Sequence, residues 1–208
     1  MRSGIKGNLG DEPTIGIIIL AAGASTRMGT PKQLLPYQGR SFLSHTIEVA
    51  VASSCRPIVV VLGAHASRLR QEVGQFPVQV VENLQWKEGM SSSIQIGLQA
   101  LSAVPEKIEA VVLVLCDQPF VSPQIINQLI EAYRCTGKPI IASEYAGTLG
   151  VPVLFSHTFF SELTTLKEAG GAKRIIIKYP QEVLSIPFPE GAIDVDTPDD
   201  YEQFLTMV

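Results

Sequence analysis

The stretch Leu20-Ala21-Ala22-Gly23-Ala24-Ser25-Thr26-Arg27-Met28-Gly29-Thr30-Pro31-Lys32 brings small residues, hydroxyls and two cations together in one short segment. Small residues let backbone N–H groups approach an anion closely and form a nest for a polyphosphate. Arg27 can clamp phosphate oxygens in a bidentate fork, and Lys32 can set a point charge on a phosphoryl group. The plainer reading is a glycine-rich turn with solvated cations. Two familiar phosphate loops do not fit. A P-loop needs GxxxxGK followed by Ser or Thr, but here five residues separate Gly23 from Gly29 and Thr30 follows, and GxGxxG does not occur.

Three aspartates form the second group. Asp117 follows directly on the apolar run 110–116, where it could ligate Mg²⁺ beside a polyphosphate or simply close an Asx-turn before Pro119 and Phe120. Asp194 and Asp196 lie two apart on a short extended segment, so their side chains are expected to face the same way. Thr197, Pro198 and Asp200 then read as N-cap, first helical residue and a capping-box partner, which makes Asp199 and Asp200 structural. Ser91, Ser92 and Ser93 open a helix, either as plain caps or as hydroxyls that read a ribose or base edge near a helix N-terminus. Trp86 and Met90 flank them and read as core packing rather than base stacking.

Strands and helices alternate along the whole chain and must position these residues. Strands are expected over 14–20, 57–62, 78–81, 110–116, 139–143, 151–155 and 182–186. Helices are expected over 41–54, 66–73, 91–101 (serine-capped), 122–133 and 157–166, after Gly171, and from Pro198 onward. The strands at 14–20 and 110–116 show no polar alternation, as expected for strands buried on both faces. The pattern predicts an α/β domain with a mostly parallel, doubly wound sheet, in which ligands bind beyond the carboxyl ends of the strands. The domain is expected over 14–208. Residues 1–13 are polar and glycine-rich without an apolar segment, so they read as a flexible tail rather than a signal peptide, and the cytoplasm is the expected location.

Composition narrows the classes further. The 208 residues are 46% apolar and only 17% charged, against roughly 25% charged in ordinary soluble domains. Disorder would show the reverse balance. The longest apolar runs, 15–22, 58–62 and 110–116, fall far short of the roughly 20 residues of a membrane helix. A net charge of −4 with scattered Lys and Arg argues against nucleic acid as a partner. The three cysteines and three histidines lack metal or disulfide spacing and read as reduced thiols and ordinary imidazoles.

The glycine-containing loop, with Gln33-Leu34-Leu35-Pro36 behind it, resembles the signature L-A-A-G-x-S-x-R-M-G-x-x-K-x-L-L-P of Rossmann-like nucleotidyltransferases. It is most similar to the molybdenum cofactor cytidylyltransferase branch. The resemblance continues at Glu88-Gly89-Met90-Ser91-Ser92-Ser93, at Cys116-Asp117-Gln118-Pro119 and at Asp194-Val195-Asp196-Thr197-Pro198-Asp199-Asp200-Tyr201. It implies a single-domain three-layer sandwich of the nucleotide-diphospho-sugar transferase type and Mg²⁺-dependent nucleotidyl transfer with pyrophosphate release. It implies Arg27 and Lys32 as catalytic residues. Leu20, Ala21, Ala22, Gly23, Ser25, Arg27, Lys32, Ser91, Ser92 and Ser93 would lie around the nucleotide, and Asp117 with Asp194 or Asp196 would hold the metal. CTP and a molybdopterin-type acceptor are the expected substrates, with a transient contact to a molybdoenzyme or its maturation factor.

Two departures bear on that choice. Relatives often carry a polar residue before the proline in Gly150-Val151-Pro152-Val153, in the region facing the acceptor, whereas here Val151 stands. Ala22, in place of a second glycine, narrows the space beside the base and suits a pyrimidine. The alternatives are a guanylyl transferase acting on molybdopterin, a sugar-phosphate nucleotidyltransferase, or a non-catalytic module that delivers a cofactor to a molybdoenzyme.

Overall fold

The computed structural model describes residues 13–166 and 170–208. β1 (Thr14–Ala21) leads into the small-residue loop, and a short hairpin of β2 (Pro36–Tyr37) and β3 (Arg40–Ser41) precedes α1 (Phe42–Ala52). There follow β4 (Ile58–Leu62), α2 (Ala66–Val73), β5 (Gln79–Glu82), α3 (Met90–Ser102), β6 (Ile108–Leu115) and α4 (Pro123–Thr136). The chain continues through β7 (Ile140–Tyr145), β8 (Thr148–Ser156), α5 (Phe160–Thr164), α6 (Lys173–Lys178), β9 (Val183–Pro187) and α7 (Pro198–Leu205). Seven strands form one sheet in the order β5-β4-β1-β6-β8-β7-β9. Neighbours run parallel except where β8 pairs antiparallel with β6 and β7.

The unbroken apolar runs have a direct physical cause. Successive β1 side chains point to opposite faces, and both faces are covered. Ile17 and Ile19 pack with Leu43 and Ile47 of α1 and with Ile126 and Leu129 of α4. Ile18 and Leu20 pack with Ile94 and Leu98 of α3 and with Ile175 of α6. Each such side chain contributes about 1.5–3 kcal/mol on burial. Helix α3 lies so close to β1 that a Cβ at Gly97 would come within 2.7 Å of the Ile18 side chain. Among the described residues no helix is long and apolar enough to cross a membrane.

The chain runs from β1 outward through β4 and β5, then returns to place β6 on the other side of β1. The loops leaving β1 and β6 therefore diverge, and a crevice opens between them at the carboxyl edge of the sheet.

Several expectations are corrected. The helix expected over 91–101 begins at Met90, and its N-cap is Gly89 at φ 99°, with no side-chain cap. The three serines thus lie inside its first turn rather than ahead of it. The strands expected over 139–143 and 151–155 are longer and form a hairpin, closed by Ala146 and Gly147, both at positive φ as a tight hairpin turn demands. The helix expected over 157–166 is a 3-10 turn (His157–Phe159) followed by the short α5, because the Ser156 hydroxyl accepts from the Thr158 N–H and tightens the entry. The capping box at α7 is present as expected: the Asp200 N–H donates to the Thr197 hydroxyl, and the Asp200 carboxylate accepts from the Thr197 N–H. Of the expected tail, residues 1–12 lie outside the described residues.

Candidate functional site

The loop after β1 is held in shape by its own side chains. Ser25 sits at φ 53°, and its carbonyl accepts from the N–H groups of Met28 and Gly29. Its hydroxyl accepts from the Lys32 N–H at 3.0 Å and donates to Gln33 Oε1 at 3.3 Å. Gln33, 1% exposed, donates its Nε2 hydrogens to the carbonyls of Ala21 and Gly23, at 3.1 and 2.9 Å. His65 Nε2–H donates to the Ala24 carbonyl at 3.0 Å. These ties turn a small-residue segment into a preorganised turn, the form in which backbone N–H groups can receive an anion.

An aromatic cluster anchors the same loop to the C-terminus. Met28, Tyr37, Phe42, Val195 and Phe204 are buried together, so the residue beside Arg27 and the residue between Asp194 and Asp196 plug into one apolar unit. The Val195 N–H donates to the Asp117 carbonyl at 3.0 Å. This brings the chain's last acidic segment beside the end of β6, across a sequence separation of almost eighty residues.

The charged groups converge there. The Lys32 ammonium donates to Asp117 Oδ2 and, at 2.8 Å, to Asp196 Oδ1. Arg27 Nη2 donates to Asp196 Oδ2 at 2.6 Å. Burial alone would lower the Lys32 pKa, but the Asp117 and Asp196 carboxylates outweigh it and hold the ammonium above the ordinary lysine range. Burial raises Asp196, yet its bonds to Lys32 and Arg27 carry it below the usual carboxylate value. Asp194 differs: burial, then the charges of Asp117 and Asp196, push it up to about 6. Two cations thus face three carboxylates, and Asp194 is left with no cationic hydrogen-bond partner among the described residues.

The donor set fits a hard divalent cation. Asp117 Oδ1 is buried with no hydrogen-bond partner, an orphaned oxygen at the floor of the crevice. Among the described residues no three His, Cys, Asp or Glu side chains gather into a protein-only cage. Carboxylate oxygens of this kind are the hard donors that divalent cations take.

Asp194 also carries a pH-dependent stability effect. Its folded pKa of about 6 exceeds the ordinary 3.8, so the folded state holds this proton more tightly than the unfolded chain. The contribution of this one group to stability grows as pH falls from about 6 toward 4 and is lost as pH rises through that window. Asp194 is only partly shielded and keeps much of its surface in water, and solvent screening trims the effect to about 1 kcal/mol. With metal chelated, Asp194→Asn is therefore expected to raise Tm at pH 7.5 by about 2–4 °C, with the difference vanishing near pH 4. Melting curves across pH check it, and a Tm that falls at pH 7.5 contradicts the assignment.

Two hollows flank Asp117, which borders both. A cleft of about 420 Å³ is bordered by Ala22, Gly23, Lys32, Trp86, Ser93 and Asp117. A smaller one of about 200 Å³ is bordered by Asp117, Gln118, Tyr145, Thr148, Val151 and Asp194. Leu20, Ala22 and Gly23 border the larger cleft, whereas Ala21 is buried within β1. Ser93 also borders it. Ser92 instead turns its hydroxyl to the carbonyls of Gln85 and Gly89, and Ser91 is buried. Trp86 packs partly on the core and partly lines the cleft, and Met90 is exposed at its edge, so neither is pure core packing.

Several site residues give no signal in the sequence. Asn83, 1% exposed, donates one amide to both Ser92 and Ser93 and accepts from the Gln85 N–H, fixing the turn before α3. Gln118 donates to the Gly191 carbonyl at 3.0 Å and the Tyr145 hydroxyl at 3.4 Å. At Gly150 a Cβ would come within 2.2 Å of that hydroxyl, so the glycine is what lets Tyr145 reach the pocket wall.

Comparison with known proteins agrees with this geometry. Residues 17–183 match the MobA-like NTP transferase domain. The chain is 34% identical over 125 residues to nicotine blue oxidoreductase of Paenarthrobacter nicotinovorans, covering 60% of this chain and 59% of that protein. It is 27% identical to the purine catabolism protein PucB of Bacillus subtilis, covering 89% of this chain and 93% of that one. It spans about a third of several bifunctional GlmU proteins that it also matches. The crystal structure of Rv0371c from Mycobacterium tuberculosis H37Rv superposes with a TM-score of 0.77 at 33% identity, over 95% of this chain and 100% of that one. A manganese complex of Rv0371c superposes with a TM-score of 0.72 at 31% identity, over 94% and 100% of the two chains. With its loop after β1, its aspartate after β6 and its sheet order all in place, the chain belongs to the MobA-like NTP transferase family.

Proposed function

We propose that this protein transfers a nucleoside monophosphate, CMP by preference, from a nucleoside triphosphate to the phosphate of a molybdopterin-type acceptor. An acceptor phosphate oxygen attacks the α-phosphorus, the bond from that phosphorus to the β-phosphate oxygen breaks, and pyrophosphate leaves. The observation that carries the reading is the Lys32–Asp117–Asp196 cluster, with Arg27 on Asp196, beside two hollows that Asp117 borders in common.

Phosphoryl transfer asks the protein mainly for positioning and charge neutralisation. The backbone of residues 22–25 cradles the triphosphate, and Arg27 and Lys32 neutralise charge that builds on the departing pyrophosphate. Asp117 and Asp194 would hold Mg²⁺, with Asp196 positioning the two cations. A metal bound there would supply charge neutralisation at the phosphoryl group; the manganese complex of Rv0371c supports a divalent ion in such a fold. Ser93 faces the nucleotide with a hydroxyl whose oxygen is already engaged by Asn83. The Ala22 methyl borders the cleft and favours a pyrimidine. The second hollow, with Val151 and the Tyr145 ring in its wall, suits a planar, partly apolar acceptor head. The free thiols of Cys55, Cys116 and Cys135 accord with a reducing, cytoplasmic setting, where a molybdoenzyme or its maturation factor would receive the product.

A pyrophosphate-release screen tests this, with CTP, GTP, ATP and UTP each offered molybdopterin or common sugar phosphates in the presence of Mg²⁺. Release is expected to be at least tenfold faster with CTP and molybdopterin than with any other pair. Release only with a sugar phosphate, or only with GTP, reassigns the substrates; no release in any combination removes the transferase reading.

A further inference from the structure

We propose that Lys32 acts as a built-in counter-ion that holds the metal-binding carboxylates in the nucleotide-free protein, so that a divalent cation is admitted only together with a triphosphate. This rests on the nucleotidyl-transfer reading for the identity of the anion. It goes beyond that reading in assigning Lys32 a second role, in the protein without nucleotide.

The oxygens of the cluster are unevenly engaged. Both oxygens of Asp196 are taken, one by Lys32 at 2.8 Å and the other by Arg27 at 2.6 Å. One oxygen of Asp117 is taken by the same ammonium, while Oδ1 is buried without a partner. The Lys32 and Asp117 side chains are only 15% and 14% exposed, so this pair is weakly screened by water and salt. A free divalent ion seeking Asp117 must therefore displace a cation tethered to the same site at high effective concentration.

A triphosphate alters that balance. It offers Lys32 and Arg27 several negative oxygens in a geometry a guanidinium fork and an ammonium both match. Once those side chains turn to phosphate, Asp117 and Asp194 are left as neighbouring carboxylates without a cation, which is when a divalent ion binds well. Asp196 keeps Lys32 and Arg27 within reach of both arrangements and serves as their anchor, not as a ligand. Metal and nucleotide then bind cooperatively, and linkage requires each to strengthen the other by the same factor.

The test is Mn²⁺ binding to the whole protein without nucleotide, followed by electron paramagnetic resonance of the free ion. Lys32→Met is expected to bind Mn²⁺ at least tenfold more tightly than wild type, and Lys32→Met combined with Asp117→Asn to lose the gain. Lys87→Met is the charge control: Lys87 borders the same cleft but lies over the Trp86 ring, 5.5 Å from its centroid, and its removal should leave Mn²⁺ affinity unchanged. Lys32→Gln, which keeps an N–H donor without charge, is measured alongside in case Lys32→Met does not fold, and it should show the same gain. Lys32 variants that bind Mn²⁺ no more tightly than wild type, or a Lys87→Met gain of equal size, overturn the proposal. Adding the α,β-methylene analogue of CTP separates the two readings. Wild type should then take up Mn²⁺ at least tenfold more tightly; if it does not while the Lys32 variants still show their gain, the nucleotide reading fails and the counter-ion role stands.

Discussion

Asp117→Asn is expected to lower turnover by about a thousandfold while the protein remains folded. The substitution keeps the shape of the side chain but removes its charge. An amide would present N–H hydrogens toward the Lys32 ammonium or toward the orphaned Oδ1 position. Either way the site loses its most buried anionic oxygen. Metal-assisted charge stabilisation at a phosphoryl group contributes several kcal/mol, and about 4 kcal/mol corresponds to roughly a thousandfold in rate. Stability changes little, because the lost ion pair is offset by relief of repulsion among three aspartates. Steady-state rates, with circular dichroism as the folding control, check it. Turnover within tenfold of wild type means that Asp117 does not hold the metal.

Gln33→Leu is expected to have the second largest effect, without touching any reactant. Gln33 is 1% exposed and holds two carbonyls and one hydroxyl of the loop after β1 through a single amide. Leucine nearly matches its volume but leaves the Ala21 and Gly23 carbonyls without this donor, and each buried unsatisfied group costs about 1–3 kcal/mol. A loss of about 2–4 kcal/mol lowers Tm by roughly 5–12 °C in a chain of this size. The loop's N–H groups then no longer converge, so KM for the triphosphate should rise at least tenfold, with a smaller fall in kcat. A melting curve and a KM-against-kcat comparison at a temperature where the variant is folded check both. An unchanged KM would mean that the loop shapes itself without this amide.

How much of this was legible in the sequence can be judged residue by residue. The strands at 14–20 and 110–116 were legible because both faces of a central parallel strand are buried, so the pattern is an unbroken apolar run. The α7 capping box was legible because Thr197, Pro198 and Asp200 interact only with one another's backbone. The serines at 91–93 misled for a related reason. Serine is a common cap, but Gly89 at φ 99° lets the helix start a residue earlier, and that backbone angle has no sequence code beyond the glycine itself. The β7–β8 pairing is not legible in the sequence, because the apolar stretches at 139–143 and 151–155 stop short of the Ala146-Gly147 turn between them.

The site divides in the same way. The types and order of Arg27, Lys32, Asp117, Asp194 and Asp196 were set by the sequence alone, and so was their grouping near strand ends. Their division of labour was decided only by the fold. Asp194 and Asp196 stand two residues apart and look equivalent in sequence, yet one lies bound between Lys32 and Arg27 while the other is crowded by carboxylates. Burial of Val195 in an aromatic cluster built from Tyr37, Phe42 and Phe204 settles how that segment sits. The physical reason is range. Periodicity and capping are local, governed by neighbours within a turn or a strand, whereas the electrostatics of a carboxylate depend on charges brought near it from anywhere along the chain.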